Sequence, residues 1–206
     1  MLVRAFRQGR SVVLVTAGIA VVAPVATASA DLPTPSIVAP ATSLLPAAPT
    51  VAAPPIAAIT ATCHGARRAS GTKVRRAAIA CLVNHARGAA GLRGFRGSAT
   101  LGRAATRHAY DMVRAHYFAH QRAGGPSLVQ RAHRAGWRGR SIGEAIAYGC
   151  GSRGTAAAIV AAWLNSPPHR AILLSTSLHK AGIGVAARPP VACGGRGGTF
   201  VLDAAG

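Results

Sequence analysis

The spacing of apolar and polar positions predicts four helices in this chain. Small or apolar residues recur every three or four positions over residues 73–87, 98–115, 127–135 and 155–166. Serine or threonine stands at the start of the last three segments, where its side chain can cap the first turn. The face of the second helix that should be buried follows steps of four, three and four residues: Leu101, Ala105, His108 and Met112.

Extended segments dominate the last part of the chain. Residues 141–149, 180–188 and 198–203 combine apolar residues with flanking glycines, which is typical of strands. This order of elements indicates an α+β fold in which helices pack on a small antiparallel sheet. The chain is rich in alanine and only 4% aromatic, so we expect its elements to approach closely, with small side chains between them.

Residues 1–30 are predicted to be a signal peptide. Three arginines precede an apolar run over residues 12–22, and the Ala-Ser-Ala sequence at 28–30 is a small-residue cleavage site. An uncleaved membrane anchor is the competing interpretation, because the run approaches the roughly 20 residues of a spanning helix. Pro24 and the cleavage site favour removal, after which no transmembrane helix is expected.

Residues 31–62 are predicted to form an extended tether, and residues 63–206 a single folded domain. Seven prolines lie between Pro33 and Pro55, which exclude a long helix or a central strand from this segment. Its Pro, Ala, Thr and Ser composition is typical of a linker that is semi-rigid where the prolines cluster.

The four cysteines predict two disulfides in an exported chain, with three possible pairings. We favour Cys63 with Cys81 and Cys150 with Cys193, because each pair closes a local loop without crossing the other. No Cys-x-x-Cys spacing is present, which disfavours a cysteine-based metal site.

The chain is strongly basic, with 24 Lys or Arg against 4 Asp or Glu. The first 61 residues contain three of the basic residues and one acid, so the remainder holds 21 and three, a net charge of +18. Such a surface attracts anionic polymers, lipids and glycans. The basic residues are scattered and lack interleaved aromatic residues, which disfavours a specific nucleic-acid function.

A series of short motifs runs in order through residues 81–203. The motifs are CLVNHAR at 81–87, GL at 91–92, YFAH at 117–120, GEAIA at 143–147, WLNSPPHRAIL at 163–173 and GIGV at 182–185, with Leu101, Ala105, His108, Asp111 and Met112 between the second and the third. In this order the series resembles the bacterial branch of the CAP superfamily, which comprises cysteine-rich secretory proteins, antigen 5 and pathogenesis-related 1 proteins. Each motif alone is weak, but their ordered combination is specific.

The resemblance implies an α-β-α sandwich with a cleft where two histidines and two acidic residues meet. In many members this cleft surrounds a divalent metal such as zinc. His120 matches the first histidine, Glu144 the first acid and His169 the second histidine. Ser166 stands at the second acidic position, so this chain lacks that carboxylate.

Two functions are open for such a cleft. His120, His169 and Glu144 are candidate ligands for a weakly bound divalent metal, because two imidazoles and a carboxylate form a competent zinc site, and a metal-dependent hydrolase is the alternative function. The favoured interpretation is that Glu144 holds both histidines in a charged hydrogen-bond network. Ala145 and Pro168 replace the family's usual Asn and Gly, which further weakens the case for catalysis.

The sequence therefore predicts a secreted, non-catalytic binding module, extracellular or associated with the cell envelope. We expect it to be a monomer that binds an anionic envelope polymer, a lipid or a glycan. A stable scaffold without a ligand is a third possibility.

Four further side chains are interpreted structurally. His108 lies on an apolar stripe and is expected to pack or bond internally. Asp111 is expected to accept a charged hydrogen bond from an arginine. Trp137 and Trp163 are expected to anchor the core rather than to bind a ligand.

Overall fold

A computed structural model describes residues 60, 62–68 and 71–206 of the chain. The predicted signal peptide at 1–30 lies outside the described residues, and so does the predicted tether apart from Thr60 and Thr62. Both therefore stay predictions.

The described part contains five α-helices, a short 3-10 helix and four strands. In chain order they are α1 (Thr72–Ala89), β1 (Arg96–Gly97), α2 (Ala99–Arg114), α3 (Leu128–Arg134), β2 (Ile142–Cys150), the 3-10 helix (Gly151–Gly154), α4 (Ala156–Asn165), α5 (Pro167–Leu173), β3 (Lys180–Ala186) and β4 (Gly197–Ala205).

The four predicted helices correspond to α1–α4, and their bounds agree within two residues. Ser98, Ser127 and Thr155 each accept a backbone hydrogen bond at the start of α2, α3 and α4. Helix α5 was not predicted, because Pro167 and Pro168 indicate the end of α4. Proline is tolerated in the first turn of a helix, so the same two residues also begin α5.

The sheet has the strand order β1-β3-β4-β2. Strand β4 pairs antiparallel with both β2 and β3, as expected. The two-residue strand β1 instead pairs parallel with β3. The sheet is therefore mixed rather than purely antiparallel, and a strand of two residues leaves no periodicity by which the sequence could reveal it.

Helices cover both faces of the sheet, which makes the fold an α-β-α sandwich. On one face α1 and α4 enclose the larger part of the core. Its largest fully buried side chains include Ile79, Leu82, Val160, Trp163, Phe200 and Leu202. On the other face α2 packs through Ala105, Ala109 and Met112 against Ile146 and Val201. Both tryptophans are buried as expected, and the Trp163 indole N–H donates to the carbonyl of Ile146.

Two glycines of β3 let α2 lie directly against the sheet. A Cβ at Gly182 would collide with the backbone of Gly102, and one at Gly184 with that of Ala105. This close contact agrees with the expectation from the alanine-rich composition, and it explains why the GIGV motif alternates glycine with apolar residues.

Disulfides join Cys63 to Cys81 and Cys150 to Cys193, the pairing that the sequence favoured. The first attaches the segment before α1 to the middle of that helix. The second links the end of β2 to the loop that precedes β4. Within residues 60, 62–68 and 71–206, the helices are too short or too polar to cross a bilayer.

Candidate functional site

The sheet face toward α2 carries two acidic residues side by side. Glu144 and Asp203 are directly opposite each other in the antiparallel β2–β4 ladder. Side chains alternate along a strand, so Glu144 points to the same side as Ile146, which packs against α2. Two of the chain's four acids therefore lie beneath a helix whose exposed positions include several arginines.

The Glu144 side chain is only 1% exposed, and both of its oxygens are engaged. His120 Nδ1 donates to Oε1 at 2.8 Å, and Arg131 Nη2 donates to Oε2 at 2.5 Å. His108 Nε2 lies 3.8 Å from Oε2. We call these four residues, together with Asp203, the Glu144 network.

Local structure places Arg131 where it can reach Glu144. Helix α3 begins with a capping box in which Ser127 and Gln130 bond reciprocally. One turn later Arg131 Nη1 donates to the carbonyls of His120 and Pro126, at 2.8 and 3.1 Å. The guanidinium therefore fixes the loop that carries His120, and orients that histidine toward Glu144.

Burial and charge act in opposite directions on Glu144. Burial alone would raise the pKa of its carboxyl, but the hydrogen bond from His120 and the charge of Arg131 outweigh this and lower it. Burial lowers the pKa of His108, against the attraction of Glu144. An ionised Glu144 thus faces a cationic arginine and a neutral His108.

Asp203 is the member of the network without a donor. It is fully buried, and neither carboxylate oxygen finds a hydrogen-bond donor among the described residues. Burial raises the pKa of its carboxyl well above the ordinary value, and the negative charge of Glu144 raises it further. A protonated Asp203 can donate to Glu144, which explains why two carboxyl groups can share this position.

Asp203→Asn is expected to raise the free energy of unfolding by about 1–2 kcal/mol at pH 7, because it removes the penalty of keeping a buried acid protonated. Since the folded pKa of Asp203 is raised, its contribution is complete below about pH 4 and is lost as the pH rises. Urea unfolding from pH 4 to 8 should therefore show a flatter profile for the variant. A variant less stable than the native protein at every pH would contradict a protonated Asp203.

The other two predicted cleft residues lie at the start of α5. Ser166 precedes this helix, and His169 is half-buried in its first turn. Burial lowers the pKa of His169, and so does the charge of His120, which places the two histidines within electrostatic reach. Among the described residues, no hydrogen bond or ion pair joins His169 to Glu144.

The residues of this cleft do not fit a zinc site. Both Glu144 oxygens already accept hydrogen bonds, and one of them faces a guanidinium. Among residues 60, 62–68 and 71–206, one group of potential metal ligands has its ligand atoms within 4.8 Å of one another. It consists of Cys63, Cys81 and His85. Both of its sulfurs belong to a disulfide, so they are not thiolate ligands.

A surface pocket of about 450 Å³ lies beside the Glu144 network, between α2 and α3. We call it the arginine pocket, after its five lining arginines: Arg107, Arg114, Arg122, Arg131 and Arg134. His108 and Arg131 belong both to the lining and to the network. The pocket therefore connects the buried carboxylates with the basic surface.

Sequence reasoning missed Arg131 and Asp203 as members of the site. Asp203 had a usable signal, because it is one of only four acids and stands in an apolar strand. Arg131 had none, since nothing local distinguishes it from the chain's other basic residues. His108 is buried with its Nδ1 3.4 Å from the Tyr117 hydroxyl, and Asp111 accepts from Arg114 at 3.4 Å, as expected.

Fold and site together define a disulfide-linked α-β-α sandwich in which the Glu144 network lies beside the arginine pocket. The sequence profile of the cysteine-rich secretory protein family, CAP, matches residues 81–201, which is more than half of the chain. The chain belongs to this family. No curated protein sequence matches it significantly.

Three solved structures have a similar fold. An extracellular protein with an SCP domain from Bacillus anthracis is 22% identical, with a TM-score of 0.55 over 65% of this chain and 41% of that protein. An outer surface protein from Borrelia burgdorferi is 22% identical, with a TM-score of 0.56 over 66% and 96% of the two chains. A cysteine-rich secretory protein from Staphylococcus aureus is 14% identical, with a TM-score of 0.50 over 66% and 39%.

The aligned region spans less than half of the Bacillus and Staphylococcus proteins. At these identities the likeness concerns the fold alone. Two of the three relatives are described as extracellular or outer-surface proteins, and two disulfides are typical of such surroundings.

Proposed function

We propose that this protein is secreted and acts as a non-catalytic module that binds an anionic ligand outside the cytoplasm, in the cell envelope or beyond it. The observation that carries the proposal is the engagement of Glu144 by His120 and Arg131. A general base or a metal ligand needs an accessible lone pair, whereas this carboxylate is buried and already paired. Its role is to organise a basic surface.

The charge distribution supports an anionic ligand. The net charge of the chain is +20, and the arginine pocket lies beside the network that Glu144 organises. Anionic polymers, acidic glycans and anionic lipids of an envelope all present the complementary charge. The predicted signal peptide, the two disulfides and the extracellular relatives support secretion.

A hydrolase built on His120, Glu144 and His169 is the less favoured function. It would need the three ligand atoms to converge on one metal, and it would need Glu144 to leave Arg131. Ser166 also replaces the second carboxylate, which removes a candidate acid or base.

The test compares binding with metal dependence in the purified full-length protein. We expect it to co-sediment with a washed envelope preparation, and to be released as salt rises because exposed charges are screened. Calorimetry with zinc chloride should show no stoichiometric binding. His120→Ala and His169→Ala are compared in the zinc titration, and His169→Ala should leave co-sedimentation unchanged.

Absence of co-sedimentation at low salt would refute the binding function. Stoichiometric zinc binding that disappears in both histidine variants would support the hydrolase instead.

A further inference from the structure

The arginine pocket contains more positive charge than the protein itself neutralises. Arg131 is paired with Glu144, and Arg114 lies 3.4 Å from Asp111, the pocket's single lining acid. Among the described residues, no ion pair joins Arg107, Arg122 or Arg134 to a carboxylate. Three guanidinium groups around one pocket repel one another unless an anion lies between them.

The buried residues of the lining face the Glu144 network. The His108 side chain is 1% exposed, and its Nε2 lies 3.8 Å from Glu144 Oε2. The Arg131 side chain is 9% exposed and is paired with the same carboxylate. The positive charge that a ligand can reach therefore comes from the exposed Arg107, Arg122 and Arg134.

The pocket is larger than a simple anion requires. Its volume of about 450 Å³ falls in the range of small-molecule sites. Ala104 and Pro126 contribute apolar wall, and Tyr110, a residue that is 53% exposed, belongs to the lining beside the arginines. The site therefore offers surface for an organic group next to its positive charge.

We infer that the arginine pocket binds the phosphate group of an organic phosphate ester, with Arg107, Arg122 and Arg134 as its ion-pair partners. A guanidinium presents parallel N–H donors that match the oxygens of a phosphate, and several can bond one phosphate from different sides. The attached organic group packs against Tyr110 and the apolar wall. This inference rests on the proposed function, for which it names the ligand class and the site.

Calorimetry with glucose 1-phosphate and with inorganic phosphate tests the inference in the full-length protein. Arg107→Gln/Arg134→Gln should weaken binding of the ester by about tenfold or more, because it removes two charge-assisted contacts. The matched control, Arg153→Gln/Arg188→Gln, makes the same change of charge at exposed positions that do not line the pocket. It should alter the affinity by no more than about twofold. Inorganic phosphate should bind more weakly than the ester.

Vesicles of phosphatidylglycerol in phosphatidylcholine distinguish a lipid source of the ester from a soluble one. Vesicle binding that falls only in the pocket variant supports a lipid headgroup as the natural ester, and selective loss of glucose 1-phosphate binding supports a soluble or polymeric one. Equal losses of binding in the pocket and control variants would overturn the inference. They would indicate general attraction to the basic surface, which agrees with the proposed function.

If the native protein binds neither phosphate probe but still co-sediments with envelope, the pocket assignment is wrong while the proposed function stands. If it binds no phosphate probe and no envelope, both fail. All four substituted arginines are exposed, so equal unfolding midpoints should show that neither variant is misfolded.

Discussion

Replacing Arg87 by alanine is expected to lower the free energy of unfolding by about 3–5 kcal/mol, because several buried carbonyls would lose their donor together. Arg87 is 2% exposed at the end of α1. Its guanidinium donates to the carbonyls of Arg93, Leu173, Ser175 and Leu178, at 2.8 to 3.3 Å.

These contacts fasten the end of α5 and the loop before β1 to α1. The guanidinium also lies 3.8 Å from the centre of the Phe95 ring, a cation–π contact that adds to the loss. Arg87→Lys keeps the charge but cannot reproduce the planar set of donors, so its stability should fall between those of the native protein and the alanine variant.

Denaturant unfolding followed by circular dichroism measures this effect. Arg107→Ala is the matched control, because it removes an exposed arginine from a helix and should change stability by less than about 0.5 kcal/mol. Equal, small losses of stability in Arg87→Ala and Arg107→Ala would contradict the role of Arg87 in holding α5 and the loop before β1 against α1.

Glu144→Ala is expected to destabilise the protein by about 2–3 kcal/mol, because Arg131 would remain largely buried without its carboxylate. The loss is moderated by Asp203, which lies opposite Glu144 and within electrostatic reach of Arg131. Without Glu144, Asp203 can ionise and take over as the partner of the guanidinium.

Because Asp203 can replace Glu144 in this way, the effect of Asp203→Asn on stability should change sign when Glu144 is already alanine. Asp203→Asn alone should stabilise the protein, but in the Glu144→Ala background it should destabilise it by about 1–2 kcal/mol, since Arg131 then lacks both carboxyl groups of the Glu144 network. The matched control is Arg114→Ala, which breaks the ion pair with Asp111 from the side whose side chain is 84% exposed and should cost at most about 1 kcal/mol. Additive effects of the Glu144 and Asp203 substitutions would contradict a shared network.

The pH dependence of stability provides a second test of the ionisation of Glu144. Its folded pKa is lowered, so its contribution to stability is complete above about pH 4.5 and is lost as the pH falls. Glu144→Gln should therefore remove part of the acid sensitivity of the native protein. Native and Glu144→Gln proteins with parallel stability curves from pH 3 to 6 would indicate that the carboxylate is not preferentially ionised in the fold.

The sequence by itself determined helices α1–α4, strands β2–β4 and their order. The helices α1–α4 have strong periodicity and side-chain caps at Ser98, Ser127 and Thr155, and these are local properties that a linear pattern contains. It also indicated the family and the favoured cysteine pairing. The stripe through His108 correctly marked the side of α2 that meets the sheet.

Only the tertiary structure decided what surrounds Glu144. Arg131 lies 13 residues before it and Asp203 59 residues after it, and no spacing rule connects residues that meet through strand register and helix packing. Neither could the sequence show that α5 begins at the prolines that end α4, or that β1 pairs parallel with β3. Burial then set the chemistry, because it raises the pKa of Asp203 while Glu144 stays ionised beside it. The packing of α3 beside α2 brings arginines that are scattered along the sequence to a single pocket.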